Sequence, residues 1–132
     1  MLNATIVTSE NELLEIHRLN KENLKSNLDT ETRKQEGFVS WLYPLELLKQ
    51  MHKLAPSIIV KDEERITGYA LTTLKESSAF HPDLKTMFQS LEPVEYKERP
   101  VCSYNFYCMG QICQDFKTLN WIPSIWMLLI SQ

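Results

Sequence analysis

Apolar side chains recur along the chain with two different periods, and the change of period separates helices from strands. In residues 10–28, leucines lie on one side at helical spacing and charged residues lie mostly opposite. Ser9 and Glu12 form the Ser-x-x-Glu pattern of a capping box, in which both side chains satisfy amides at a helix start. An amphipathic helix is therefore predicted from about Glu10 to about Leu28.

A polar loop and a second helix are predicted next. Asp29 to Gly37 is polar and ends in glycine, as is typical of a surface loop. Pro44 suits a first helical turn, and Pro56 ends the segment. The residues between the two prolines that form an apolar stripe are Leu47, Leu48, Met51 and Leu54 or Ala55.

From Ser57 onward the apolar positions follow the period of strands. Residues 58–60 are β-branched, residues 62–64 form a charged turn, and residues 66–74 alternate between the two faces of a strand. This pattern predicts an antiparallel hairpin over Ser57–Leu74.

A third helix and a long strand complete the predicted core. Apolar residues at helical spacing between Pro82 and Pro93 predict a short helix. Residues 101–116 are rich in aromatic and β-branched side chains, which predicts a long late strand, expected at the centre of the sheet. The chain is therefore expected to form one α+β domain over residues 1–132, with a mixed, mainly antiparallel sheet flanked by helices.

The composition limits the classes of function. A net charge of −3 without a basic stripe argues against nucleic-acid binding. No signal peptide and no membrane-spanning run are visible, so no membrane is expected and the cytoplasm is the expected location. Cys102, Cys108 and Cys113 are odd in number and lie in one predicted strand, so buried reduced thiols are expected. No metal site is predicted, because no C-x-x-C pair occurs and the histidines are distant in sequence.

The predicted hairpin carries a resemblance to a known family. Residues 58–71 combine an apolar run, an acidic turn and the sequence Gly68-Tyr69-Ala70-Leu71. This segment resembles the second and third strands of GNAT-superfamily N-acetyltransferases, and residues 101–113 resemble the fourth strand. The order of the predicted elements is similar to the first half to two-thirds of that fold, over roughly residues 1–113.

The resemblance implies an activity and a co-substrate. Enzymes of this family transfer acetyl from acetyl-CoA to a primary amine by direct attack of the amine on the thioester. By position, the backbone groups that pair with the pantetheine arm of acetyl-CoA would belong to Ile112, Cys113 and Gln114. The acceptor implied is a small-molecule or peptide amine.

The same resemblance suggests catalytic and acceptor-binding residues. Tyr104, Tyr107 and Gln111 are the nearest polar candidates for catalysis. The two tyrosines are also consistent with ordinary strand residues whose rings are packed and whose hydroxyls face solvent. Trp41 and Tyr43 lie in the region that often shapes the acceptor pocket in this family. The alternative is that both are aromatic residues that fill the hydrophobic core.

The end of the chain departs from the family pattern. No glycine follows Gly110, so residues 115–120 lack the glycine-rich loop that binds the pyrophosphate. The domain is therefore expected to be incomplete at its C-terminus, as a truncated or frame-altered member. Trp121–Ile130 is almost wholly apolar and must be buried against something. The second hypothesis is accordingly a non-catalytic interaction or dimerisation module, in which this segment contacts a partner or a second copy.

Overall fold

The structure is a computed structural model that describes residues 1–36 and 39–115, with side chains at all of these except 35 and 36. Within these ranges the α-helices are α1 (Glu10–Glu22), α2 (Thr30–Glu36), α3 (Leu45–Leu54) and α4 (Pro82–Ser90). The strands are β1 (Leu2–Ile6), β2 (Ile58–Asp62), β3 (Arg65–Thr73), β4 (Glu95–Tyr96), β5 (Arg99–Pro100) and β6 (Cys108–Gln114). The predicted α+β class, a sheet flanked by helices, is confirmed.

The main sheet has the strand order β1-β2-β3-β6, and every pairing between neighbours in it is antiparallel. The predicted hairpin is confirmed, with β2 and β3 in register from Ile58 opposite Ala70 to Asp62 opposite Arg65. Glu63 takes a φ of 55° in the connecting turn, as short hairpin turns require. Strands β4 and β5 form a separate small hairpin.

The helices α1 and α3 pack on one face of this sheet and form the larger buried cluster. The apolar side chains of this cluster that come from α1, α3, β2 and β3 are Leu13, Ile16, Leu19, Leu47, Leu48, Met51, Ile59, Ile66, Tyr69 and Leu71. Burial of one such side chain contributes roughly 1.5–3 kcal/mol to folding. On the opposite face, Ile58, Val60 and Ala70 form a second buried cluster. None of the helices in the described ranges is long and apolar enough to cross a membrane.

Helix α1 begins where the sequence predicts and ends earlier. The Ser9 side chain caps the start by accepting a hydrogen bond from Glu12 N. At the other end, Asn23 stops the helix: its backbone and side-chain N–H groups both donate to the Leu19 carbonyl. The following residue, Leu24, is extended and bridges to Val39, so the prediction of helix as far as Leu28 was wrong.

Helix α2, strand β1 and the small β4–β5 hairpin were not predicted. Residues 29–37 were expected to form a loop, but Thr30–Glu36 is helix α2, and Asp29 Oδ1 accepts from Thr32 N at 2.7 Å. This helix has no apolar stripe, so the spacing of apolar residues does not predict it. The sequence signal for it was Asp29, a residue type that often caps a helix start. Strand β1 was also missed, and it pairs with β2 along its whole length.

The late strand is shorter than predicted and does not lie at the centre. Residues 101–103 form a 3₁₀ turn after Pro100, with Tyr104 N donating to the Val101 carbonyl, so the strand starts only at Cys108. In the described part of the chain β6 borders β3 alone and lies at an edge of the sheet. Phe116 and the apolar segment Trp121–Ile130 lie outside the described residues.

Candidate functional site

A cavity of about 300 Å³ lies where the segment before α3 meets the middle of β6. The described residues that line it are Val39, Ser40, Trp41, Tyr43, Gly110, Gln111 and Ile112. Two parts of the chain that are about seventy positions apart in sequence thus form its walls. The structure brings together Trp41 and Tyr43, predicted as acceptor residues, with Gln111 and Ile112, predicted as catalytic and cofactor residues.

Helix α1 holds the Trp41–Tyr43 wall of the cavity in place. Asn20 Nδ2 donates to the Trp41 carbonyl at 3.0 Å, and Asn20 Oδ1 accepts from Tyr43 N at 2.9 Å. His17, one turn earlier on the same face of α1, places Nδ1 3.0 Å from the Tyr43 carbonyl. Because these contacts satisfy backbone groups of an irregular segment, they fix its conformation.

Gln111 is oriented by two hydrogen bonds. Its Nε2 donates to the Trp41 carbonyl at 2.9 Å, and its Oε1 accepts from the Tyr69 hydroxyl at 2.6 Å. A carboxamide has two N–H donors and two acceptor lone pairs, so one donor and one acceptor position on Gln111 are not used by these two bonds. Burial is the largest influence on Tyr69 and raises its pKa, so the phenol is a neutral donor.

A β-bulge places Gly110 and Gln111 at the cavity. Ala70 lies opposite Ile112 and Thr72 lies opposite Met109, so Leu71 alone faces the two residues Gly110 and Gln111. Bulges re-aim side chains and are frequent next to active sites. Gln111 lies two residues before the buried Cys113 and therefore faces the same side of the sheet, toward Trp41 and Tyr69.

Gly110 permits a close approach of two hydroxyl groups. A Cβ at this position would lie 2.8 Å from Tyr43 Oη and would overlap Thr73 Oγ1. Thr73 is fully buried, and its hydroxyl has no hydrogen-bond partner among the described residues. Burial raises the pKa of Tyr43 to about 12, so its hydroxyl is also a neutral donor at physiological pH.

The Trp41 indole lies between two other rings. Its centroid is 4.3 Å from that of Tyr43 and 5.1 Å from that of His81, and both pairs are edge-to-face. His81 is itself fixed as the cap of α4, because its Nδ1 accepts from Asp83 N at 3.2 Å. The Trp41 side of the cavity is thus held by ring contacts from two parts of the chain, Tyr43 before α3 and His81 at the start of α4.

The three predicted cofactor-binding residues differ in where their backbone groups point. Asp115 N donates to the Thr67 carbonyl at 2.7 Å, which makes these two residues a hydrogen-bonded pair. Hydrogen-bonded and non-hydrogen-bonded pairs alternate along antiparallel strands, and Cys113 lies opposite Tyr69. Cys113 therefore bonds to β3, whereas Ile112 and Gln114 direct their N–H and C=O groups away from β3.

The Cys113 thiol lies in the core beneath this strand. Burial raises its pKa to about 11, so the neutral thiol predominates at physiological pH. The side chain is therefore not an activated nucleophile. Cys102 and Cys108 are half-buried, and all three cysteines are free.

The two other predicted catalytic residues are placed differently from Gln111. Tyr104 follows the 3₁₀ turn at residues 101–103 and contacts the β4–β5 hairpin: its hydroxyl donates to the Tyr96 carbonyl at 2.9 Å, and the Arg99 guanidinium lies 4.4 Å from its ring centre. Tyr107 precedes β6 and is 44% exposed. Neither is among the described residues that line the cavity.

Sequence reasoning missed several residues that build the site, namely Asn20, Tyr69 and Thr73. Asn20 carried a usable signal, because a polar residue that falls on the apolar side of an amphipathic helix must find a buried partner. Tyr69 and Thr73 carried none, because their roles depend on the cross-strand register with β6.

Comparison of the chain with known protein families, with curated proteins and with solved structures gives no match. The site must therefore be interpreted from its own chemistry. The site has an aromatic wall at Trp41, the carboxamide of Gln111 held by two hydrogen bonds, and the neutral hydroxyls of Tyr43 and Thr73. All of these lie beside the edge strand β6.

Proposed function

We propose that this domain is acyltransferase-like, with acetyl-CoA held along β6 and an amine acceptor held in the cavity at Trp41, Tyr43 and Gln111. The observation that carries the proposal is the meeting of both predicted sites in one place. The cavity wall that would hold the acceptor is joined by the Gln111–Trp41 hydrogen bond to the strand that would hold the acyl donor. A cytoplasmic location is part of the same proposal.

The backbone of β6 suits the pantetheine part of acetyl-CoA. An extended ligand with amide groups can add to a sheet edge through main-chain hydrogen bonds. Ile112 and Gln114 present such groups away from β3, and the bulge at Gly110 and Gln111 interrupts regular pairing next to them. Asp115 follows the C-terminal end of β6, and its carboxylate lies 2.7 Å from the Arg65 guanidinium. The positive charge of Arg65 is therefore already paired with a carboxylate.

The chain's own residues would assist the transfer by orientation and by donating hydrogen bonds. When bound, acetyl-CoA supplies a thioester whose carbonyl carbon accepts the amine nitrogen. The second N–H of Gln111 and the Tyr43 hydroxyl are neutral donors at the cavity and would stabilise a developing oxyanion. Trp41 would exclude water and orient the acceptor beside them.

A thermal-shift titration with acetyl-CoA tests the proposal. Binding to the native state alone raises the free energy of unfolding by about 2.7 kcal/mol at a hundred times the dissociation constant, so the melting temperature should rise with ligand. The absence of a rise at millimolar acetyl-CoA would overturn the proposal. It would favour the interaction-module hypothesis, which predicts a dimer of stable size by light scattering.

A pair of proline variants locates the binding edge. Gln114→Pro removes an N–H that points away from β3, a position at which edge strands tolerate proline. We expect this variant to fold and to lose most of the acetyl-CoA shift. Ile6→Pro is the matched control on β1, because the hydrogen bond from Val7 N to the Ser57 carbonyl places the Ile6 N–H outward at the opposite edge. It should keep the full shift.

A further inference from the structure

The cavity at Trp41 and Gln111 has no charged side chain among its described lining residues. Val39, Ser40, Trp41, Gly110, Gln111 and Ile112 do not ionise, and Tyr43 keeps its proton at physiological pH. The face of Trp41 can attract a cation, but a bound ammonium group must still lose a proton before its nitrogen attacks a thioester, and the described lining has no carboxylate or imidazole to take that proton. The lining instead supplies hydrogen bonds that suit an uncharged polar group.

The titratable groups around the cavity do not serve a cationic amine either. His81 contacts Trp41 by its ring, and its Nδ1 accepts from Asp83 N. His17 contacts the Tyr43 carbonyl from α1. From β3 and β6, Tyr69 and Cys113 are buried neutral groups behind Gln111.

Two carboxylates that influence Cys113 are each paired with a guanidinium. Asp115 lies 2.7 Å from Arg65, and Glu22 lies 2.8 Å from Arg18. Among the described residues, the lining of the cavity itself therefore contains no carboxylate and no imidazole that would take a proton from an ammonium group.

We propose, resting on the acyltransferase function above, that the acceptor is a small primary amine that is uncharged at neutral pH, of the arylamine type. An aromatic body fits the braced Trp41 wall, and a cavity of about 300 Å³ is at the small end for ligand sites. An alkylamine with the ordinary pKa of lysine, about 10.4, exposes a free lone pair in only about one molecule in 2,500 at pH 7. An arylamine is uncharged at pH 7, so its nitrogen lone pair is free and the protein does not need a base to remove a proton before the amine attacks.

The transfer balances without a further reactant. The arylamine nitrogen forms a bond to the carbonyl carbon of the acyl-CoA thioester, and the carbon–sulfur bond breaks. The nitrogen releases one proton to water, and the departing thiolate takes one proton from water. Gln111 and Tyr43 donate hydrogen bonds and neither gains nor loses a proton overall.

Two isomeric amines, p-toluidine and benzylamine, provide the test because they share one molecular formula and differ in charge at pH 7. Binding of each to the whole chain is measured by calorimetry without acetyl-CoA, and acetylation is measured with it. We expect p-toluidine to be favoured at least about tenfold at pH 7 in both assays, with benzylamine acetylation rising as pH rises toward its pKa. Equal use of the two amines, or a preference for benzylamine at pH 7, would overturn the inference.

Variants locate the preference in the cavity. Trp41→Leu should abolish p-toluidine binding, and Tyr96→Phe, a change in an exposed ring of the β4–β5 hairpin, should not alter it. Ser40→Asp adds a carboxylate at an exposed position of the lining, so it should fold and should improve benzylamine binding about two- to fivefold. No gain with Ser40→Asp would count against the charge argument.

The two proposals fail in different ways. If acetyl-CoA raises the melting temperature but p-toluidine is not favoured, the arylamine inference is wrong and the acyltransferase proposal stands. If p-toluidine binds in a Trp41-dependent manner but acetyl-CoA does not bind, the cavity preference stands and the acyltransferase proposal is wrong.

Discussion

The Tyr69 hydroxyl on β3 donates a 2.6 Å hydrogen bond to Oε1 of Gln111 on β6. Gln111 in turn donates to the Trp41 carbonyl, which also accepts a hydrogen bond from Asn20 on α1. A continuous chain of hydrogen bonds thus connects β3, β6, the cavity wall and α1. The position of the carboxamide in the cavity depends on a residue that lies wholly in the core.

Tyr69→Phe tests this dependence. The substitution keeps the ring and removes the donor, which leaves Gln111 Oε1 without its partner from β3. We expect a loss of about 1–3 kcal/mol in the free energy of unfolding. Urea denaturation measures it, with Tyr96→Phe as the matched control because that ring is exposed. A loss below about 0.5 kcal/mol would show that the Tyr69–Gln111 bond does not hold the carboxamide.

Gly110→Ala should also destabilise the domain, for a steric reason. The added Cβ would lie 2.8 Å from Tyr43 Oη and would overlap Thr73 Oγ1, which is a side-chain atom of a fully buried residue. Overpacking of this kind costs about 1–3 kcal/mol. Removing the obstructing hydroxyl should relieve part of the cost, so Gly110→Ala combined with Thr73→Ala should lose less than the sum of the single variants.

A double-mutant cycle measured by chemical denaturation gives this coupling directly. Strict additivity of Gly110→Ala and Thr73→Ala would contradict the contact. Tyr43→Phe provides a second comparison, because it removes the other atom that an added Cβ would meet.

The sequence was informative where one local pattern decides one element. The hairpin of β2 and β3 follows from alternation and an acidic turn, and the start of α1 follows from the Ser9 cap. The end of α1 depends on a bridge between Leu24 and Val39, which no local pattern reveals. The late strand was overextended because the aromatic and β-branched composition of residues 101–107 does not distinguish a strand from the 3₁₀ turn and the irregular segment that precede Cys108.

Individual residues of the cavity could be selected from the sequence, but the contacts between them could not be predicted. Trp41 and Gln111 were each selected from the sequence as candidates, but their contact across about seventy positions depends on the sheet register. The bulge opposite Leu71 is another such feature, because it appears only when two strands are aligned.

The Glu12 carboxylate should make stability depend on acidic pH. The residue is 8% exposed; burial of its carboxylate raises its pKa, but hydrogen bonds from Thr8 and the Lys61 ammonium together outweigh burial and hold the pKa below the ordinary value of 4.5. A carboxyl group whose pKa is lowered on folding stabilises the native state above its unfolded pKa. That stabilisation is lost as the pH falls through the native pKa.

We therefore expect the melting temperature to fall as the pH is lowered from above 4.5 through the native pKa of Glu12, and Glu12→Gln to reduce that dependence. Glu31→Gln is the matched control, because Glu31 is an exposed carboxylate on the surface of α2. The idea fails if Glu12→Gln and the unmodified chain lose stability in parallel over this range.

Asn20 should be the most sensitive polar position in α1. It is 1% exposed and bonds both to the Trp41 carbonyl and to Tyr43 N, so Asn20→Ala leaves Tyr43 N without this acceptor in the core. We expect a loss of about 2–4 kcal/mol in the free energy of unfolding and weaker ligand binding in the cavity. Asn23→Ala is the control, since the Asn23 side chain bonds only to the Leu19 carbonyl of its own helix in the described contacts, and its backbone contact with Val39 N is kept.

Asn20→Asp separates the hydrogen-bonding role from side-chain size. The aspartate keeps an acceptor for Tyr43 N, but it directs a second oxygen at the Trp41 carbonyl, which its protonated form alone can satisfy. The pKa of this aspartate should therefore rise on folding, so the variant's loss of stability relative to the unmodified chain should be smallest at low pH and increase as the pH rises through the native pKa. Denaturation of this variant and of the unmodified chain at pH 4 and pH 8 measures the effect; an equal difference between the two proteins at both pH values would show that the Trp41 carbonyl does not require a donor from α1.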